Sequence, residues 1–164
     1  MRKLIGAGLV GLMLAGPAMA DGKIYVQLPD LSDYQGREAE DFLHQVVLAN
    51  IVSSNCPGFE ATEEEWSLLT DSADIVSHEN LKLTTDEYVA TYETPAFAAL
   101  DEADTCAVEG PKVQPILDDL VAHGGSREAL PDQDAAYEDW RKMQDAWDAG
   151  TSALPAPSGK TKTK

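Results

Sequence analysis

Arg37-Glu38-Ala39-Glu40-Asp41-Phe42-Leu43-His44-Gln45-Val46-Val47-Leu48-Ala49-Asn50-Ile51-Val52-Ser53-Ser54-Asn55 runs directly into Cys56-Pro57-Gly58. Ala39, Phe42, Leu43, Val46, Val47, Ile51 and Val52 recur at steps of three and four, the spacing that gathers side chains on one face of an α-helix. Pro57 cannot continue a helix and Gly58 favours its end, so a helix is predicted over 37–55, with Cys56 at its close. It is the most apolar helical stretch after the first twenty residues and belongs at the centre of the core.

Cys106, in Thr105-Cys106-Ala107, is the only other cysteine. Whether the two pair depends on the compartment. Met1-Arg2-Lys3 precedes an apolar run from Leu4 to Leu14, then Gly16-Pro17 and Ala18-Met19-Ala20, the order of a secretory signal peptide cut after Ala20. Crossing a bilayer takes about twenty apolar residues, which this run does not reach. Asp21 rather than a cysteine follows the cut, so no lipid anchor is indicated, and no later stretch is apolar enough to span a membrane. A soluble periplasmic or exported product is expected, and an oxidising space lets two thiols persist as a disulfide. Closing a loop of about fifty residues should stabilise the fold by roughly 4 kcal/mol on the chain-entropy model. There is no Cys-x-x-Cys, and one bridge leaves no spare thiol. A structural Cys56–Cys106 bridge is therefore preferred over redox or nucleophilic chemistry.

Further helices follow from caps and periodicity. Thr62 with Glu65 forms a capping box, and Trp66, Leu69, Ala73 and Val76 mark the inward face of a helix running to about His78. Thr84 with Glu87 opens a short third helix that buries Tyr88, Val89 and Tyr92. Thr94-Pro95 opens another, with Phe97, Leu100, Ala103 and Ala107 inward and Cys106 near its end. Gly110-Pro111 is expected to break the path before a short helix bearing Val113, Ile116, Leu117, Leu120 and Val121, closed by Gly124-Gly125.

The rest divides simply. Residues 21–36 are an N-terminal arm with a short extended run at Ile24-Tyr25-Val26, residues 37–125 the disulfide-bridged helical domain, and residues 126–150 a linker and an amphipathic helix. Residues 151–164, with two prolines and a Lys-Thr-Lys-Thr-Lys end, have nothing to bury and should be disordered. The fold class is all-α, a small disulfide-bridged bundle of about five to six helices. On the last helix Trp140, Met143 and Trp147 share a stripe. It either covers the core or forms a partner-binding surface, since Trp is enriched in binding hot spots.

Loss of Arg2 and Lys3 leaves 10 basic against 29 acidic residues, a net of −19, and three of those cations, Lys160, Lys162 and Lys164, lie in the tail. Such a field repels nucleic acid and anionic lipid and favours a basic partner. His44, His78 and His123 are scattered, with no His-x-x-x-His or Glu-x-x-His pair to place two ligands on one helical face. Asp118, Asp119 and His123 are close enough in sequence to meet, as a polar helix end also would. The acidic clusters lack the pattern of a calcium loop, the serines lack nucleophile-elbow glycines, and no phosphate loop is present. No catalytic residue, metal site or cofactor is assigned.

A helix ending in Asn55-Cys56, a long second helix, Leu83-Thr84-Thr85-Asp86-Glu87-Tyr88 entering a short helix, and Thr105-Cys106-Ala107-Val108-Glu109-Gly110 before a closing helix make up a recognisable order. Over roughly residues 37–121 it resembles a family of small secreted alphaproteobacterial proteins of unknown function that carry two cysteines. The resemblance implies a helical, bridged, secreted domain and transfers no catalytic residue. This chain departs from the family in its acidity, in a shorter segment after Cys106, and in the tryptophan helix and tail. Architecturally it is also similar to the small acid-stress chaperones of the enteric periplasm. The leading expectation is a non-catalytic periplasmic accessory or binding protein whose partner is another periplasmic or membrane-complex protein. The alternatives are an acid-activated periplasmic chaperone and a small hydrolase or metal-dependent enzyme.

Overall fold

The structure, a computed structural model, describes residues 22–152. The predicted signal peptide and all but the first two residues of the predicted disordered tail lie outside the described residues. Within them the chain is all-helical apart from one antiparallel bridge between Val26 and Ala129.

Among the described residues seven α-helical segments join into five rods. The first is α1 (Arg37–Asn55); the second is α2 (Glu63–Ile75), which ends in a π turn over Val76–Asn80. The third combines α3 (Thr85–Tyr88), a π turn over Val89–Glu93, and α4 (Thr94–Ala99). The fourth runs from α5 (Thr105–Glu109) through a 3-10 turn at Gly110–Lys112 into α6 (Val113–Ala122), and α7 (Gln133–Asp148) is the fifth. Both capping boxes form: Thr62 and Thr84 accept from the backbone N–H of Glu65 and Glu87, whose carboxylates reach back.

α1 is the central rod, and all seven of its predicted inward residues are buried. Leu68, Leu69 and Ile75 of α2, Val76 of the π turn that follows it, and Val113, Leu117 and Leu120 of α6 pack with it in one core. Leu31 of the arm and Trp147 of α7 belong to the same core, so neither terminal segment is an appendage.

Cys56 and Cys106 are bonded, with Cα atoms 5.4 Å apart. The bridge joins the end of α1 to the start of α5, not to the end of α4. α4 stops because Leu100, Asp101 and Glu102 turn back on the carbonyls of Phe97, Ala98 and Ala99, and Thr105 then starts a new helix. Gly110-Pro111 does not break the path. Pro is tolerated in a first helical turn, and Gly110 is where the ring of Phe59 packs: a Cβ there would lie 2.3 Å from it.

Several inward assignments are corrected. Phe97 is 49% exposed, and Val89, Ala103, Ala107 and Val121 also face solvent. Because α3 and α4 form one rod, the face of α4 is inherited from Tyr92, and Ala96, one turn on, takes the buried place. Trp66 is 41% exposed, since it shares a recess with Ser53 and Ser54 at the polar end of α1. The linker is tied down: Ser126 and Leu130 donate their N–H groups to the carbonyls of Gln27 and Tyr25.

Candidate binding groove

A groove of about 630 Å³ runs between α1, α4 and the start of α6. Its lining is apolar: Phe42, Leu48 and Ala49 come from α1, Ala96 and Ala99 from α4, and Ile116 from α6. Pro95, Pro111 and Pro115 extend the apolar wall and contribute no backbone N–H, and His44, Gln45, Glu109, Lys112 and Asp119 also line the groove. The space exists because α4 is built largely of short side chains, Thr94-Pro95-Ala96-Phe97-Ala98-Ala99, and its one large residue points away. The π turn lies just before Pro95, whose ring would crowd the carbonyl of Thr91 in an unbroken α-helix.

Polar groups stand at the edges, most of them engaged. Lys112 holds both carboxylate oxygens of Glu109 at 2.7 and 2.8 Å. The Tyr34 hydroxyl donates to Asp119 Oδ2 at 3.0 Å, while its ring stacks on Phe42 at 4.1 Å. Burial, then the Asp119 hydrogen bond and charge, pushes the Tyr34 phenol up to about 12, so it stays a donor. Past Asp119 the groove continues into a recess lined by Arg37, Glu38 and Asp41.

The histidines are engaged one by one. His44 is exposed on the groove edge, its ring 4.5 Å from that of Tyr92. His78 meets the Asp74 carbonyl through Nδ1 and stacks on Trp147. His123 Nδ1 lies 2.9 Å from the Asp119 carbonyl and 3.7 Å from its Oδ1. Asp118 turns instead to Arg127, which also reaches the buried Glu65. No group of three or more His, Cys, Asp or Glu able to hold a metal occurs among the described residues.

The tryptophan stripe faces inward. Trp147 is 9% exposed; its indole N–H donates to Glu79 Oε1 at 2.6 Å, and its ring stacks on His78 at 4.7 Å. Met143 packs against the core. Trp140 is half-buried, 6.0 Å from Tyr25, with Lys23 Nζ 4.5 Å above its ring. The same ammonium pairs with Asp71, a carboxylate 2% exposed. Burial outweighs that pairing and raises Asp71, while Asp74 beside it is raised to about 6, mainly by burial and then by Asp71.

A feature legible in the chain could have pointed to the groove: three prolines at 95, 111 and 115 and an alanine-rich short helix, all flanking Cys106. No helix among the described residues is long and apolar enough to cross a membrane. No protein-family model, curated protein or solved structure matches this chain.

Proposed function

We propose that this chain is a non-catalytic accessory protein of the periplasm, which receives an apolar segment of another exported or membrane-complex protein in the groove between α1, α4 and α6. One observation carries the reading: a solvent-open apolar groove whose neighbouring charged groups are largely paired among themselves. Such a surface is suited to desolvating an apolar partner, since exposed contiguous apolar area marks interaction sites. The disulfide fits an oxidising compartment, and the first twenty residues fit a signal peptide. Membership of the secreted two-cysteine family is proposed on the same cysteine contexts.

The test places a photo-crosslinker at Gln45, on the groove edge, and in a second protein at Lys142, on the outer face of α7. Both are exposed to periplasmic extract at pH 7 in the mature, oxidised form. A partner crosslinked from Gln45, not from Lys142, and lost on Ala99→Trp supports the reading. Equal crosslinking from both positions, or none from Gln45, overturns it.

A further inference from the structure

The geometry points to the class of segment the groove takes: an amphipathic α-helix of another protein, with basic residues flanking its apolar stripe. This rests on the reading of the groove as the binding site. The first observation concerns backbone. The groove is walled by helices and prolines, and its walls offer no row of unpaired N–H and C=O groups. A strand laid there would lose water from its own polar backbone without gaining a ladder, which excludes strand addition. A helix satisfies its backbone internally and needs only side-chain contact, as in the helix-in-groove mode of recognition.

The second observation is charge. Lys112 is held by Glu109, and the groove opens at its far end onto Asp119, Glu38 and Asp41, with Arg37 the one cation there, 3.9 Å from Asp41. Residues 21–150 as a whole carry 7 basic and 29 acidic side chains, a net of −22. An acidic helix would be repelled at that end and in the wider field, whereas a basic one is steered toward it.

The test uses synthetic helices of about 15 residues, long enough to carry a stripe of Leu at helical spacing. One has Lys on its polar face, one has Glu, and a third scrambles the Leu/Lys composition so that no stripe remains. Binding to the full mature, oxidised protein is measured by calorimetry at physiological salt, and helix formation by circular dichroism. The striped Lys peptide should bind one to one and gain helicity, with Kd at least about ten-fold below that of either control. Ala99→Trp, which fills the groove, should weaken it about ten-fold, and Asp119→Asn several-fold.

Equal binding of the scrambled peptide, or undiminished binding to both variants, overturns the inference. So does preferential binding of dodecanoate, which would make the groove an acyl site. Occupation by a second copy or by residues 153–164 also overturns it; sedimentation and a deletion reveal these as a dimer or as binding gained only on truncation. Crosslinking from Gln45 to a partner without any peptide binding removes the helix and leaves the groove reading standing.

Discussion

The two sides of α1 are finished in opposite ways. On one, the N-terminal arm and α7 close over α2 with polar contacts. Lys23 pairs with Asp71, Gln133 exchanges two hydrogen bonds with Tyr25 at 2.8 and 2.9 Å, and the Trp147 indole and the Ser152 hydroxyl both donate to Glu79. On the other, α4 and α6 flank α1 with alanines and prolines and leave apolar surface open. Large aromatics, which would ordinarily suggest a sticky surface, are here the sealed side. The open side is made by residues too small to close it. A free surface is thus better located by what fails to fill space than by what is hydrophobic.

The largest expected effect falls on the bridge. Cys56→Ser should lower stability by roughly 4 kcal/mol, read by urea denaturation. Because Cys106 anchors α5 beside the groove, amide exchange should accelerate first in α5 and α6 while Trp147 stays shielded. Loss of the α7 contacts at the same urea concentration would make the two sides one cooperative unit.

Trp147→Ala should cost about 3 kcal/mol, the usual scale for removing a buried aromatic. It should free the arm and α7 together, exposing Trp140 to a fluorescence quencher. Unchanged quenching would mean that the arm holds α7 without Trp147.

Asp74→Asn should act in the opposite direction. Its folded-state carboxyl titrates near 6 against an ordinary value of 3.8, so its contribution to stability is fully present below about pH 4 and is lost as pH rises through about 6. Removing the charge should stabilise the protein by about 2 kcal/mol at pH 7.5 and flatten the rise in stability expected of the wild type on acidification toward pH 5. An acid-activated chaperone built on release of the Trp140 and Trp147 helix requires a loss of stability further down, at about pH 3, where many of the 29 carboxylates are protonated. A wild type that stays folded with Trp147 shielded at that pH would count against that reading, and one that exposes Trp140 and Trp147 there would favour it.

The smallest effect belongs to the open side. Gln45→Ala, on the exposed groove edge, should change stability by no more than about 0.5 kcal/mol. A larger loss would mean that the groove wall is structural.

The contrast between the two sides also marks what the chain discloses unaided. α1 is legible to the residue, and both capping boxes are, because helix periodicity and i to i+3 capping are local chemistry. The bridge is legible from two cysteines read together with a signal-peptide-like start. Phe97 is misread because Thr94-Pro95 looks like a fresh start, and nothing local reveals that a π turn carries the preceding rod through it. The pairing of Val26 with Ala129 is as hidden, since each partner is an unremarkable loop residue until the other arrives. The stripe on α7 is readable as a stripe. What it faces depends on Lys23, His78 and Glu79, which lie far away in sequence.

The contact between the arm and α7 closes a long loop, about two thirds of the 164-residue chain: Tyr25 and Gln133 are 108 residues apart. Once Cys56 and Cys106 are joined across their separation of 50, the shortest covalent path between those ends falls to about 58 residues. Halving a loop lowers its closure entropy by only about 0.6 kcal/mol. The bridge is therefore nearly indifferent to whether the ends of the fold meet. The arm is synthesised before α7 and must wait for it, and their docking should proceed at nearly the same rate whether the cysteines are oxidised or not.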